Sequence, residues 1–351
     1  MKEYIKFFKF DADYQLAKPN LPEPHAVYCW ETNIVDISNP IFNEKQYLAF
    51  KAVDGDATLT IINSGGAAPQ LWYSYDQEIW TDWTASGYTK IEIMDGKKVY
   101  LKGLNDNMGD ASKYSTFGGT GYYEVSGSLS SLLDGDDLYG NLNRVFKKYM
   151  FYKLFYENTA IKTWDVEIPY NNNNDSLLQD YCYQHMFTRC TNLTRCMYSY
   201  PDNMGVVGEN CYSEMFNGCS SLVYCPGIRK IPDTVHSIKS YSFHLMFKDC
   251  TLLSDIIPNI PESLSYLDYR SHFEGMFQNT SVTKAEIIIP EQCTTGKFWM
   301  FKDMFSGCKK LTEARLYVHD NFIMTNDSFN AIFGNCTNLT SLTIEYRIKY
   351  T

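Results

Sequence analysis

The chain has 351 residues, a hydrophobic fraction of 44% and a formal net charge of −10, with a pI near 5.1. That hydrophobic content is enough for packed domains and excludes wholesale disorder. The acidic balance excludes nucleic acid as the main partner, because phosphate binding needs clustered Lys and Arg, and the longest basic groups are the pairs Lys147–Lys148 and Lys309–Lys310.

In residues 1–44, Lys6 and Lys9 interrupt the apolar residues of Met1–Phe10. A secretory leader needs an unbroken apolar run of about 7–15 residues, so no export signal is expected here. No stretch reaches the ~20 apolar residues of a membrane helix. Pro19, Pro22 and Pro24 mark an extended connector. An arm docking on another subunit fits this segment, and so does an ordinary edge strand.

Residues 45–103 alternate apolar and polar positions in short runs: Tyr47–Val53, Ala57–Ile62, Leu71–Tyr75, Lys90–Ile93 and Lys98–Lys102. Gly, Asp and Pro break the runs, which predicts a small antiparallel β-sandwich. Trp72, Trp80 and Trp83 lie in an aromatic-dense hairpin. They are candidates for a sugar-stacking surface, weighed against ordinary cross-strand core packing. Residues 104–149 read as a bridge that caps the first rung of a repeat array beginning near residue 150. Its acidic Asp134-Gly135-Asp136-Asp137 lacks the spacing and terminal Glu of a calcium loop, so a solvated turn is expected.

The repeat fills residues 150–351. Met-Phe-x-x-Cys-x-x-Leu occurs at Met186–Leu193, Met215–Leu222, Met246–Leu253 and Met304–Leu311, with variants at Leu154, Met276 and Ile332. The anchoring residues Phe155, Phe187, Phe216, Phe247, Phe277, Phe305 and Phe333 recur every 28–32 residues. Four residues before each anchor stands another aromatic: Phe151, Tyr183, Tyr212, Phe243, Phe273, Phe301 and Phe329. Apolar residues at i, i+3 and i+4 predict a short amphipathic helix in each unit. The Leu-x-x-apolar-x-apolar stretch after it predicts a short strand, and a Pro often closes it. One unit cannot bury its apolar face alone, so about seven should stack into a solenoid roughly 30 Å tall, with one strand every ~4.8 Å.

Cys190, Cys219, Cys250, Cys308 and Cys336 then occupy equivalent points on successive rungs. A metal or disulfide ladder is one reading; a small buried slot is the other. Asn158 and Thr280 fill the same slot, and neither can form a disulfide, which favours packing. Cys182 and Cys211 form a second set, replaced by Ser242, His272, Met300 and Ser328 in later units.

The repeat, with its Tyr181–Tyr183 lead-in and the Ile231–Val235 turn, resembles BspA-type leucine-rich repeats, found in surface proteins of gut bacteria and in virion proteins of their phages. Residues 45–103, closing on Tyr100–Gly103, look like the small β-domain that commonly precedes such repeats. The resemblance covers about residues 150–346 of the repeat part. It implies a solenoid used for display or adhesion, and it carries over no catalytic residue. The fold class expected is therefore α+β: a small antiparallel β-sandwich, then a leucine-rich-repeat solenoid of short helices and short parallel strands.

No nucleophile elbow, zincin motif, P-loop or dinucleotide fingerprint is present. The six histidines show no metal-ligand spacing with carboxylates, and His185 and His244 read as solvated surface. No enzyme, cofactor or metal is expected; a glycan-active enzyme is the remote alternative. The expected role is a phage virion component (fibre, tail accessory or decoration protein) held to other virion proteins by the N-terminal arm. The alternative is a bacterial cell-surface adhesin on the cell envelope. The partner displayed to would be a host surface protein or glycan, with Tyr198 and Tyr317 as contact residues near strand ends. A homo-oligomer is open.

Overall fold

The computed structural model describes residues 4–5, 35–36 and 47–346, except 66–67, 111–112, 137–146, 169–175, 202–203, 255, 257–258 and 326. The chain forms two compact units, Met1–Gln46 and Tyr47–Thr351. In the first, β1 (Tyr4–Ile5) pairs antiparallel with β2 (Val35–Asp36). The rest of the expected arm, including its prolines, lies outside the described residues.

The second unit begins with strands β3 (Leu48–Val53), β4 (Ala57–Asn63), β5 (Leu71–Ser74), β6 (Thr81–Asp82), β7 (Ile91–Ile93), β8 (Lys98–Gly103), β9 (Ser115–Gly118) and β10 (Tyr122–Ser128). Strands β7-β4-β9 form one antiparallel sheet, and β10-β3-β8-β5-β6 belong to a second. Their inner faces meet through Phe50 on β3 and Phe117 on β9, with ring centroids 5.5 Å apart. Two strands of this body, β9 and β10, thus come from the segment between residue 104 and α1. The short helix α1 (Ser130–Asp134) comes next, burying Leu132 and Leu133.

The remaining strands are β11 (Ile161–Glu167), β12 (Ser176–Leu178), β13 (Arg195–Cys196), β14 (Met204–Val207), β15 (Ser237–Ile238), β16 (Tyr266–Leu267), β17 (Lys284–Ile288), β18 (Glu313–Val318) and β19 (Ser341–Tyr346). All pair parallel with their neighbours. Strand β10 is where the pairing changes, being antiparallel to β3 on one edge and parallel to β11 on the other.

The expected α+β class is overturned: the chain is almost all β, and the solenoid is a β-solenoid. Among the described residues, helix is confined to α1 and the 3₁₀ turn Pro226–Ile228. The segments read as amphipathic helices are runs of consecutive turns. Every fourth residue takes a positive φ, as at Tyr181 (62°), His185 (57°) and Arg189 (60°). The backbone bonds explain the choice. Gln184, Met186, Thr188 and Cys190 donate their N–H groups locally to the carbonyls three residues back. The residues between them donate to the next coil: Tyr181, Tyr183, His185, Phe187 and Arg189 reach Glu209, Cys211, Ser213, Met215 and Asn217 at 2.7–3.1 Å. A helix would spend every N–H within its own coil and leave nothing to bind the next one.

Each left-handed residue costs about 1–2 kcal/mol when it is not Gly. Each four-residue step that carries an aromatic recovers more than that. It gains two bonds to the next coil at about 0.5–1.5 kcal/mol each. It also buries an aromatic ring, worth about 1.5–3 kcal/mol. The rings form two columns. Phe151, Tyr183, Tyr212, Phe243, Phe273, Phe301 and Phe329 stack at 5.2–5.7 Å. Phe155, Phe187, Phe216, Phe247, Phe277, Phe305 and Phe333 stack at 5.3–5.7 Å.

The ten described cysteines are free thiols. In the repeat slot, the Sγ of Cys190, Cys219, Cys250, Cys308 and Cys336 lies 3.0–3.1 Å from the carbonyl oxygen of the preceding coil's anchoring Phe. The slot selects a small side chain that can donate one hydrogen bond to that carbonyl. Burial holds the Cys182, Cys196 and Cys250 thiols well above their usual pKa, so they stay protonated.

Candidate interaction surface

The packing that makes the columns decides which predicted contact residues reach solvent. Tyr198 is 1% exposed, its hydroxyl sharing a hydrogen bond with that of Tyr212 at 2.8 Å. It is a core residue and is unavailable as a contact. Trp83 is fully buried and donates its indole N–H to the Thr89 carbonyl at 2.6 Å. Trp72 and Tyr317 are half-buried on β5 and β18. Half-buried Trp80 meets the Tyr47 ring edge-on at 4.7 Å, with the Lys102 ammonium 4.3 Å from its ring centre. Asp136, read as part of a solvated turn, accepts hydrogen bonds from Tyr47 and Lys102 and so fastens this corner; Asp137 lies outside the described residues.

A second set of aromatics that reach the surface lies on the turn side of the coils. The first left-handed position of several coils is aromatic and half-buried: Tyr149, Tyr181, Tyr241 and Trp299. Tyr149 and Tyr181 stack face to face at 4.5 Å. Further along, the Arg270 guanidinium lies 5.2 Å from Tyr269, 5.4 Å from Tyr241 and 5.9 Å from Trp299. Tyr269 is 61% exposed, and its ring contacts the exposed Phe298 at 6.1 Å. Near the sandwich, the Lys153 ammonium sits among Tyr114, Tyr152 and Tyr156 at 4.6–5.3 Å. Flat rings held by a cation present rigid faces for stacking on a sugar ring or a partner side chain. The sequence signal for this surface was the aromatic recurring six residues before the anchor.

Half-buried histidines share this side. His185 and His244 stand two and three residues before their anchors, so they are not equivalent, yet both adjoin Glu214 on the intervening coil. His185 Nδ1 is 3.7 Å from Glu214 Oε2. Burial lowers the pKa of both rings, and the carboxylates of Glu214 and Glu274 only partly offset it. They are therefore not the solvated groups expected.

Ser240, Asp268 and His272 come together on adjacent coils. Asp268 Oδ1 accepts from Ser240 Oγ at 2.7 Å, from the Tyr269 N–H at 2.6 Å and from His272 Nε2 at 3.2 Å. Burial works to raise the Asp268 carboxyl, but the His272 and Ser240 hydrogen bonds prevail and hold it down at about 2. The serine and the histidine both address the carboxylate. A nucleophile–base pair would need the serine on the histidine. The knot therefore ties coils together.

A cleft of about 580 Å³ lies where the two parallel sheets of the solenoid part, lined by Lys230, Asp233, Asn259, Glu262, Lys284 and Glu286 among others. Four of its charges are paired: Asp233 with Lys230 at 2.6 Å, Lys284 with Glu313 at 2.7 Å and Glu286 with Arg315 at 2.8 Å. No described helix is long and apolar enough to cross a membrane. No group of three or more His, Cys, Asp or Glu side chains that could hold a metal ion occurs among the described residues. A β-solenoid of this kind is compatible with a structural or adhesive repeat protein. Comparison with known protein families, curated proteins and solved structures finds no match to the chain.

Proposed function

We propose that this chain is a non-enzymatic display protein of the BspA-like repeat type, carried on a phage particle as a fibre, tail accessory or decoration component. The observation that carries the display role is a solenoid filled by two aromatic columns, with its chemistry-bearing side chains tied to one another and a rigid aromatic–cation surface outside. The Tyr269–Arg270–Trp299 cluster is the contact we assign to a host glycan or surface protein.

The thiols favour the particle over an exported adhesin. Five repeat thiols act as hydrogen-bond donors, a role each can fill only while reduced. Chains that fold in an oxidising compartment meet disulfide formation before such bonds are made. A virion protein folds in the reducing cytoplasm and leaves by lysis. Peptide mass spectrometry of purified particles and of cell envelopes from the native source tests the reading. Stoichiometric presence in particles is expected; presence only in envelopes would replace it with a bacterial surface adhesin.

A further inference from the structure

The two ends of the solenoid are not alike. At the N-terminal end the sandwich acts as a preceding coil: the Phe117 N–H donates to the Leu154 carbonyl, and β10 pairs with β11. At the other end the pattern stops half-made. Phe301, Asp303, Phe305 and Gly307 donate to Ser328, Asn330, Ile332 and Gly334. The corresponding N–H groups of the last described coil, on Phe329, Ala331, Phe333 and Asn335, have no acceptor among the described residues.

The side chains stop in the same way. Leu342, Ile344 and Tyr346 of β19 stand in register with Ala314, Leu316 and Val318 of β18. The β18 residues are buried, whereas Leu342, Ile344 and Tyr346 are 48%, 62% and 49% exposed. An edge strand of six residues with an open apolar face is the kind of edge that recruits another strand unless it is blunted. No Pro interrupts β19, and its one charged residue, Glu345, is held by Arg315 on the outer face.

We propose that this C-terminal face is a docking site for a polypeptide partner that adds to the solenoid as one more coil. The partner's strand runs parallel to β19, and its backbone carbonyls meet the waiting row of N–H groups. Polarity selects this occupant. A second copy docked tail to tail would set the same donor row against itself. A copy docked head to tail would meet the sandwich in place of an open coil. A lipid surface would cover the apolar residues and leave the N–H groups without acceptors.

Charge adds a further requirement. On the outer face Arg315 bridges Glu286 at 2.8 Å and Glu345 at 3.0 Å, an alternation of acid, base and acid along the stack. The next member is basic, so the partner carries a Lys or Arg within reach of Glu345 and apolar residues opposite Leu342 and Ile344. This is strand addition with a defined register and sign.

The test uses the full chain and a fluorescent synthetic peptide copying residues 297–318, with a scrambled peptide as control. Binding below about 100 μM is expected, together with slowing of amide exchange at Phe329, Ala331 and Phe333 by about tenfold or more. Two variants keep the outcome readable. Leu342→Lys with Ile344→Lys should abolish binding with the rest of the exchange map unchanged. Glu345→Arg should weaken the peptide and restore binding to a version with Arg315→Glu. Absence of peptide binding, equal binding to the double-lysine protein, or a dimer that protects the same amides without peptide would each overturn the proposal. None of these outcomes bears on which particle or envelope carries the chain.

Discussion

The Asn158 side chain donates to the Phe117 carbonyl at 2.8 Å, the same bond that the repeat thiols make one coil later. Its Oδ1 accepts from the Ala160 and Ile161 N–H groups, so the buried amide is used at both ends. Through this residue a sandwich strand serves as the first rung of the solenoid. The aromatic stack is continuous across the joint, Phe50 to Phe117 to Phe155 to Phe187.

Asn158→Ala should therefore cost about 3 kcal/mol, because it strands the Phe117 carbonyl and two N–H groups in the core at about 1–3 kcal/mol each, with partial relaxation. Urea unfolding followed by tryptophan fluorescence reports on both halves, since Trp83 lies in the sandwich and Trp164 in the solenoid. The parent chain should unfold in one transition. The variant should unfold earlier, with the two halves separating.

Position along the column sets the cost of removing a ring. Phe247→Ala leaves a cavity between Phe216 and Phe277 and should cost about 3–5 kcal/mol. Phe333 has a ring on one side, Phe305, and is only partly buried. Phe333→Ala should cost less than half as much. Equal losses in denaturant titrations would show that the end coil is covered as fully as the middle.

The repeat slot asks for a donor of small size. Cys250→Ser should stay within about 1 kcal/mol of the parent, while Cys250→Ala loses about 0.5–1.5 kcal/mol more by withdrawing the donor to the Phe216 carbonyl. Among the ten described cysteines, Cys336 is the half-buried one. A thiol reagent applied to native protein should modify Cys336 first, and mass mapping of the labelled peptides checks the order.

Stability should decline as pH falls below 6.5. Burial lowers the pKa of His185, His244 and His272 from their ordinary 6.5, and the Glu214, Glu274 and Asp268 carboxylates oppose this only partly. The unfolded chain therefore takes up protons before the native one does, and the native state loses stability as pH drops through that window. Asp268 acts lower on the scale and in the usual carboxylate sense. Its contribution is present above its ordinary value of 3.8 and is lost towards its native value of about 2. Thermal melts from pH 8 to pH 5 should show a falling Tm, with a shallower slope in the double variant His185→Gln, His244→Gln.

By itself, the sequence determined the period, the two aromatic columns, the donor slot and the strands of the sandwich. Each follows from residue type at fixed spacing: Phe247 with Phe243, Cys250 three residues on, Leu48 to Val53 in alternation. It did not separate a helix from a ladder of turns, because burial at i, i+3 and i+4 serves both. A local hint was present two residues after the anchors, where Gly218, Asp249, Asn279, Gly307 and Asn335 favour the left-handed backbone. The deciding quantity was the destination of alternate N–H groups, such as Phe187 to Met215, and that destination exists only once a second coil is in place. Tyr198 illustrates the same limit. Its sequence neighbours suggest an accessible strand end, but the Tyr212 hydroxyl that holds it inside belongs to the next coil. Pairings between coils set both outcomes, and residue spacing within one coil carries no record of them.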